Sequence, residues 1–138
     1  MSISEPTVMI ADDEEHVRLF MKAMLSRLNC SVVAEAATGD EALRKYRELN
    51  PDLLILDHNM PYKTGDKVMK ELLEEDQRAR IILLSSVTDF ESVSSAVYSG
   101  VTYYLRKDLP MEEILGHIRK CLGDIKKEKT GGDIDREV

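Results

Sequence analysis

Four short groups of polar residues in this chain carry side chains that could do chemistry together. Each group follows an apolar run at the point where that run ends, and the groups are Asp12-Asp13, Asp57, Ser85-Ser86 and Lys107. Carboxylates that share one cleft must shift their pKa values, pair with a cation or hold a metal ion. A cluster of oxygen donors without thiolates suits Mg²⁺ best and disfavours Zn²⁺. The residue types therefore predict a magnesium site beside a lysine, if the fold brings these groups together.

The apolar runs before these groups have the character of buried β-strands. They are short and rich in β-branched residues, and they lie at Thr7–Ala11, Ser31–Ala36, Asp52–Leu56, Arg80–Ser85 and Val101–Leu105. Runs of this length and composition are typical of strands that are buried on both faces of a sheet. The sequence therefore predicts five strands.

Segments with helical spacing separate the strands. The first carries an apolar stripe made of Val17, Phe20, Met21, Met24, Leu25 and Leu28, which is expected to pack on the sheet. Thr38 and Glu41 form the capping box that starts a second helix. Later helices are predicted at about Gly65–Glu74, Asp89–Ser99 and Pro110–Leu122.

The alternation of strands and helices predicts an α/β fold. We expect a doubly wound five-stranded parallel sheet of flavodoxin-like order 2-1-3-4-5, with helices on both faces. Such sheets place their sites at the carboxyl ends of the strands, near the point where the strand order reverses. The first and third strands are neighbours in this order, so Asp12, Asp13 and Asp57 are expected to meet there.

The length and composition are those of one globular domain. The chain has 138 residues, of which 43% are hydrophobic and 33% charged, as in ordinary soluble proteins. We place the domain at residues 1–123. Residues 124–138 hold few apolar side chains and the pair Gly131-Gly132, so we expect a helix end and a mobile charged tail.

Several classes of protein are disfavoured by the same composition. No stretch approaches the roughly 18 uncharged apolar residues of a membrane helix, and the first residues lack the pattern of a signal peptide. We therefore expect a cytoplasmic protein without a membrane partner. Cys30 and Cys121 form no C-x-x-C pair, which indicates reduced thiols in a reducing compartment. The net charge of −7 argues against direct binding of nucleic acid.

Taken in order, the polar groups resemble the receiver domain of bacterial two-component response regulators. The resemblance covers roughly residues 6 to 123 and rests on Asp12-Asp13, Asp57, Met60-Pro61 with Thr64-Gly65, Ser85-Ser86, and Tyr104-Leu105-Arg106-Lys107. It implies a stand-alone receiver that accepts a phosphoryl group from a histidine kinase or a phosphotransfer protein. Such a protein assists its own phosphorylation and dephosphorylation but is not an enzyme, and it signals to a downstream protein or by self-association.

The resemblance also implies roles for individual residues. Asp57 would be the nucleophile that becomes an aspartyl phosphate. Asp13 would bind Mg²⁺ directly and Asp12 largely through water, with Asp57 and the backbone carbonyl of Asn59 completing the ligands. Lys107 would neutralise charge on the transferring group.

Two further residues would read the phosphorylated state. The Ser85 hydroxyl would hydrogen-bond a phosphoryl oxygen, and Tyr104 would turn inward behind it as a two-state switch. Two positions differ from what is common in receiver domains: one departs from the usual residue, and the other lies at a position that varies in the family. Asp108 stands where many relatives have proline, and Val87 cannot orient a hydrolytic water, which predicts a long-lived phosphorylated state.

Two surfaces are expected to bind partners. On the first helix, next to the acidic pair, a phosphohistidine-bearing partner would dock on His16, Leu19, Phe20 and Ala23. On the opposite flank, the small and aromatic side chains that would present a switch-dependent face are Ser94, Ser95, Tyr98 and Tyr103. His58, although it is next to Asp57, is expected to point to the other face of the strand and to take no catalytic part.

Three alternative functions are open to such a chain. It could be the input half of a larger receiver-effector protein such as a transcription factor. It could be an aspartyl-phosphate-type hydrolase, but these enzymes need a second acid two positions after the nucleophile, where this chain has Asn59. A dinucleotide-binding module would need a G-x-G-x-x-G after the first strand, and this chain has none.

Overall fold

The structure is a computed structural model that describes residues 5–86 and 102–137. The helix expected over Asp89–Ser99 lies outside the described residues, as do Val87, Ser94, Ser95 and Tyr98. Within the described ranges, strands and helices alternate along the chain as the sequence predicts up to β4.

Five parallel strands form one sheet in the order β2-β1-β3-β4-β5. Their bounds are Thr7–Ala11 for β1, Ser31–Ala36 for β2, Leu53–Asp57 for β3, Ile81–Ser85 for β4 and Tyr103–Arg106 for β5. The predicted strand order is confirmed, and the bounds differ from the predicted ones by two residues at most. Because β1 and β3 are neighbours, the residues that leave these two strands are brought together.

Four helices in the described ranges cover the two faces of the sheet. They are Glu15–Leu25 for α1, Gly39–Leu49 for α2, Gly65–Glu75 for α3 and Met111–Glu137 for α4. The predicted capping box starts α2: the Glu41 N–H donates to Thr38 Oγ1 over 3.1 Å, and the Glu41 carboxylate accepts from the Ala37 N–H over 2.7 Å. Two N–H groups at this helix end are thus satisfied.

Each strand contributes alternate residues to two separate cores. Leu54, Leu56 and Leu83 face α2 and α3, whereas Ile55 and Ile82 face α1 and α4, as part of a second cluster. A strand buried on both faces needs an unbroken apolar run, and this explains why β3 and β4 show no alternation of polar residues. The sheet is therefore a rigid layer between two cores, which fixes the positions of the strand ends.

One residue of the predicted α1 stripe is exposed instead of packed on the sheet. Met21 and Leu25 are buried against the sheet, but the Phe20 side chain is 49% exposed. The prediction that Phe20 packs inward is therefore wrong. Phe20 lies at the edge of the stripe, where the helix surface has already turned away from the sheet.

The last helix is longer than the sequence predicts. An end near Leu122 is wrong, because α4 continues to Glu137. Ile125 prolongs its apolar stripe and is buried in the core. One turn later, Lys129 Nζ lies 2.8 Å from Asp52 Oδ2, and Glu128 pairs with Arg80. These contacts attach the extension to the edge of the sheet opposite the strand ends that carry Asp12 and Asp57; mobility of residues 124–138 stays a prediction.

None of the helices in the two described ranges has both the length and the apolar character that crossing a bilayer requires.

The extension of α4 can be tested through Ile125. We expect Ile125→Ala to lower the free energy of unfolding by about 2–4 kcal/mol, because it leaves a cavity among buried side chains. The measurement is urea denaturation followed by circular dichroism. Lys127→Ala, on the exposed side of the same turn, is the control and should change the value by less than about 0.5 kcal/mol. Equal effects of the two substitutions would contradict the packing of this segment.

Candidate functional site

Three carboxylates meet where β1 and β3 end. Asp57 is the last residue of β3, and Asp12 and Asp13 follow β1, which pairs with β3 up to Ala11 and Leu56. One oxygen from each of the three carboxylates lies within 4.8 Å of the others. Asp12 and Asp57 are both 3% exposed, whereas Asp13 faces solvent. The predicted meeting of these acids is therefore observed.

Hydrogen bonds hold the main chain and the side chain of Asp12 in place. Its N–H donates to the Ala36 carbonyl over 3.0 Å. Its Oδ1 accepts from the Glu14 N–H over 2.9 Å, and its carbonyl oxygen accepts from Arg18 Nη1 over 2.7 Å. The loop that carries the acidic pair is thus tied to β2 and to α1.

Lys107 is the cation of the site. Its Nζ lies 2.9 Å from Asp57 Oδ1 and 3.6 Å from Asp12 Oδ2. Its backbone N–H donates to the Ser85 carbonyl over 2.7 Å, which continues the pairing of β5 with β4. Burial lowers the pKa of Lys107, but the bond to Asp57 and the charges of Asp57 and Asp12 outweigh burial, and the pKa rises above its usual value. Lys107 is therefore held in its charged form.

Burial has the dominant effect on Asp57. It raises the pKa of this carboxyl, and the lysine bond opposes the rise while the charge of Asp12 adds to it, so that the pKa reaches about 6. The Asn59 N–H donates to Asp57 Oδ1 over 3.2 Å and gives further support to the ionised form. Asp57 is thus a carboxylate whose charge needs a second cation for full stabilisation.

Asp108, the residue after Lys107, is held by Arg106. The guanidinium of Arg106 donates to both carboxylate oxygens of Asp108, over 2.9 Å and 2.5 Å. The Lys107–Asp108 peptide is trans. This fork and the bond from Lys107 to β4 fix the turn that starts at the lysine.

Ser85 carries a buried hydroxyl at the end of β4. The residue is fully buried, and among the residues that the structure describes its Oγ has no hydrogen-bond partner. A buried hydroxyl without a partner costs about 1–3 kcal/mol. Ser86, the next residue, is exposed. The position of Ser85 next to Leu84, which pairs with Asp57, places an unused donor at the same edge as the acids.

The two tyrosines of β5 face different cores. Tyr104 is partly buried against the cluster of α2 and α3. Tyr103 packs against the cluster of α1 and α4, and its ring centroid lies 4.5 Å from that of His117. Tyr103 is therefore on the face opposite Tyr104, so its expected part in a surface with Tyr98 stays a prediction.

The loop between β3 and α3 approaches the site closely. A Cβ on Gly65 would lie 2.2 Å from the carbonyl oxygen of Asp57, so only glycine lets α3 start here. The Gly65 N–H donates to the His58 carbonyl over 2.8 Å. His58 directs Nε2 toward Asp66, 3.4 Å from its Oδ1, and thus toward the start of α3.

The donor set fits a hard divalent cation. All three side chains that could act as ligands offer carboxylate oxygens, which Mg²⁺ prefers. Within the described ranges, Lys107 is the one cation that contacts them. Three carboxylates beside a single lysine leave negative charge that a bound Mg²⁺ would neutralise. Exposed Asp13 leaves one side of the cluster open to solvent and to a phosphate group.

The predicted docking residues lie next to this cluster. His16, Leu19, Phe20 and Ala23 are all exposed on α1, and Leu19 is 54% exposed. A groove of about 290 Å³ separates this helix from the start of α4, and Asp12, Phe20, Lys107 and Met111 are among its lining residues. The groove thus connects the exposed aromatic side chain to the acidic site.

Sequence reasoning missed two residues of the site, Arg18 and Glu35. Arg18 Nε donates to Glu35 Oε1 over 3.0 Å while its Nη1 binds the Asp12 carbonyl. The signal was weak, since a charged residue on the polar flank of α1 is ordinary. Only the pairing of β2 with β1 places Glu35 opposite Ile10, near that helix.

Relatives of this chain include several proteins of bacterial signalling. The chemotaxis protein CheY of Bacillus subtilis is 34% identical over 83% of this chain and 96% of its own length. The nitrate/nitrite response regulator protein NarL of Escherichia coli is also 34% identical over 83% of this chain, but the chain spans only 54% of NarL.

Solved structures with the same fold also match. The receiver domain of AraT, a response regulator from Geobacillus stearothermophilus, has a TM-score of 0.80 at 27% identity, over 91% of this chain and 99% of that domain. A chain of the CheX-CheY-BeF3-Mg+2 complex from Borrelia burgdorferi has a TM-score of 0.73 at 25% identity, over 83% of this chain and 87% of that one.

The family model of the response regulator receiver domain matches residues 8–119. This range includes Asp12, Asp13 and Asp57 and all five strands except Thr7, the first residue of β1. The chain therefore belongs to the family of response regulator receiver domains.

Proposed function

We propose that this receiver accepts a phosphoryl group on Asp57 from the phosphohistidine of a histidine kinase or phosphotransfer protein. The observation that carries the proposal is the buried Asp57 carboxylate, with Lys107 Nζ at 2.9 Å and the oxygens of Asp12 and Asp13 within 4.8 Å. An aspartate without a chemical role would not need a buried position beside a lysine and two further carboxylates. Phosphoryl transfer depends on them, because it requires placement of the nucleophile and neutralisation of charge.

The chain's own residues would carry the transfer as follows. An ionised oxygen of Asp57 attacks the phosphorus, the P–N bond to the donor imidazole breaks, and its electron pair stays on the imidazole nitrogen. Lys107 pairs with the negative charge of the transferring group. Asp12, Asp13, Asp57 and the Asn59 carbonyl would hold Mg²⁺, which supplies further charge neutralisation when it is bound.

Ser85 and Tyr104 would read the result. The Ser85 hydroxyl, buried without a described partner, gains an acceptor when a phosphoryl oxygen arrives. That new bond relieves a polar group whose burial is costly, and it would draw the end of β4 toward Asp57. Tyr104, partly buried on the neighbouring strand, would then move inward as the residue that changes the surface.

The exposed side of α1 would receive the donor. Leu19 and Phe20 are about half exposed and lie beside the groove that reaches Asp12 and Lys107. An apolar helix face on a donor could cover these side chains and present its phosphohistidine to the site. His16 and Ala23 continue the same exposed side.

Two forms of output are supported by different relatives. CheY of Bacillus subtilis is matched over 96% of its length, which favours a stand-alone receiver that binds a downstream protein or a second copy. NarL is matched over 54%, which favours the input half of a receiver-effector protein. The mass of the native protein from its source cells separates the two.

Phosphorylation can be measured directly by intact-mass spectrometry with acetyl phosphate and Mg²⁺. We expect one phosphoryl group per chain for the wild type, none for Asp57→Asn and none after chelation. Asp124→Asn, an exposed acid on α4, is the matched control and should be labelled normally. A hydrolase would instead release many equivalents of phosphate from the donor. A wild type without label would refute the proposal.

The switch can be tested with Ser85→Ala. This variant should still be labelled on Asp57, but the NMR signals of isotope-labelled Tyr104 should no longer shift after phosphorylation, because the new hydrogen bond cannot form. Ser86→Ala, at the exposed neighbouring position, should respond like the wild type. An unchanged Tyr104 response in Ser85→Ala would show that the tyrosine does not depend on this hydroxyl.

The raised pKa of Asp57 predicts a pH-dependent stability without metal. The folded-state pKa of about 6 lies above the ordinary 3.8, so the folded chain holds this proton more tightly than the unfolded chain. Stability is therefore lost as pH rises from about 4 to about 6. Asp57→Asn should be more stable than the wild type by on the order of 1–3 kcal/mol at pH 7, and equally stable near pH 3.5.

The measurement is denaturant unfolding at several pH values in the presence of a chelator. Asp124→Asn should show no such pH-dependent difference. A gap between Asp57→Asn and the wild type that is the same at pH 3.5 and pH 7 would contradict the predicted titration of Asp57.

A further inference from the structure

One guanidinium connects the loop of the acidic pair to the edge strand of the sheet. Arg18 Nη1 donates to the carbonyl oxygen of Asp12 over 2.7 Å, and Arg18 Nε donates to Glu35 Oε1 over 3.0 Å. The Arg18 side chain is only 16% exposed. A contact of this kind is more ordered than a surface ion pair, because two donors of one planar group are used at the same time.

The far end of this connection is itself firmly held. Lys22 Nζ lies 2.7 Å from Glu35 Oε2, and Lys45 Nζ donates to the Glu35 carbonyl oxygen over 2.6 Å. The bond from Lys22, together with Arg18, lowers the pKa of the Glu35 carboxyl. Glu35 is therefore ionised at neutral pH and gives Arg18 a fixed anchor on β2.

The near end acts on the backbone between the two acids. The carbonyl that Arg18 binds belongs to the peptide that joins Asp12 to Asp13, and the N–H on the other side of Asp12 is bound to Ala36. Both peptide groups of Asp12 are thus fixed. Because a peptide is planar, fixing its carbonyl also fixes the direction in which the chain enters Asp13.

We propose that Arg18 is a positioning residue for the divalent cation, which sets the placement of Asp12 and Asp13 by holding the peptide between them. The inference rests on the proposed function, since it assumes that the two acids hold Mg²⁺. Groups that orient metal ligands from behind affect metal affinity strongly without touching the metal. Arg18 has this place in the structure, with its charged group on the main chain of a ligand and its anchor on another strand.

Charge alone predicts the opposite effect of a substitution. A cation near three carboxylates repels a second cation, so removing Arg18 would strengthen Mg²⁺ binding if only its charge mattered. Removing a positioning group weakens binding instead. The sign of the change therefore separates the two explanations.

Lysine is not an adequate replacement at this position. The bridge needs donors aimed at two acceptors, the Asp12 carbonyl and the Glu35 carboxylate. The planar fork of arginine supplies them in a fixed geometry, whereas a single ammonium is a compact point charge on a flexible stem. Arg18→Lys keeps the charge and loses the bridge.

The test is a titration with Mn²⁺, which also binds oxygen ligands and whose free form is counted by electron paramagnetic resonance. Competition by Mg²⁺ shows that both ions share the site. We expect Arg18→Met and Arg18→Lys to raise the dissociation constants for both ions about 10-fold. Arg44→Met removes an exposed cation of α2 that pairs with Glu41 and Glu48, and it should leave the constants within about twofold of the wild type.

Each outcome decides the question. Unchanged or tighter binding in Arg18→Met would overturn the inference, as would an equal loss in Arg44→Met, which would point to general destabilisation of the protein. Thermal unfolding of the variants identifies such a loss, and Arg18→Lys gives the answer if Arg18→Met does not fold. A wild type that binds neither ion would refute the proposed magnesium site itself, independently of Arg18.

Discussion

Mutual repulsion among three carboxylates governs the edge of the sheet where Asp12, Asp13 and Asp57 meet. Two of them are almost completely buried, and burial makes each negative charge more costly than it would be in water. The described structure offsets this cost with one lysine and with backbone N–H groups from Glu14 and Asn59. The remaining deficit of positive charge is what a bound divalent cation would supply, and the proposed transfer of a phosphoryl group to Asp57 depends on it.

The rest of the fold can be understood as the support that keeps this unfavourable arrangement in place. A sheet with a core on each face cannot easily let its strand ends move apart, because both layers of side chains would have to repack. Gly65 allows α3 to begin against the backbone of Asp57. The turn after Lys107 is held by the Arg106 fork. The unfavourable electrostatic repulsion is thus confined to one edge of the sheet, and the two cores supply the stability of the fold.

The sequence was informative wherever a local pattern determined the outcome. A strand that is buried on both faces has an unbroken apolar run in its sequence, so β3 and β4 were predictable. The positions of Asp57 at the end of β3 and of Asp12 and Asp13 beside it were predictable for the same reason. The end of α4 was not, because this segment is held by contacts with residues that are far away in the sequence. Glu128 and Lys129 pair with Arg80 and Asp52, and Ile125 is buried in the core. The Arg18–Glu35 pair was missed for the same reason, since it depends on which strands are neighbours. Phe20 was predicted to face the sheet but faces solvent, because a residue at the edge of an apolar stripe can face either one.

The arrangement of β5 gives the molecule two independent sides. Tyr103 and Tyr104 are adjacent in sequence but belong to opposite cores, with the full thickness of the sheet between their rings. The buried side of α1 packs on the same core as Tyr103, whereas Tyr104 packs on the other core with α2 and α3. In the proposed function, loading from α1 and read-out at Tyr104 would therefore use two different surfaces, and a bound donor would not obstruct a protein that recognises the Tyr104 side.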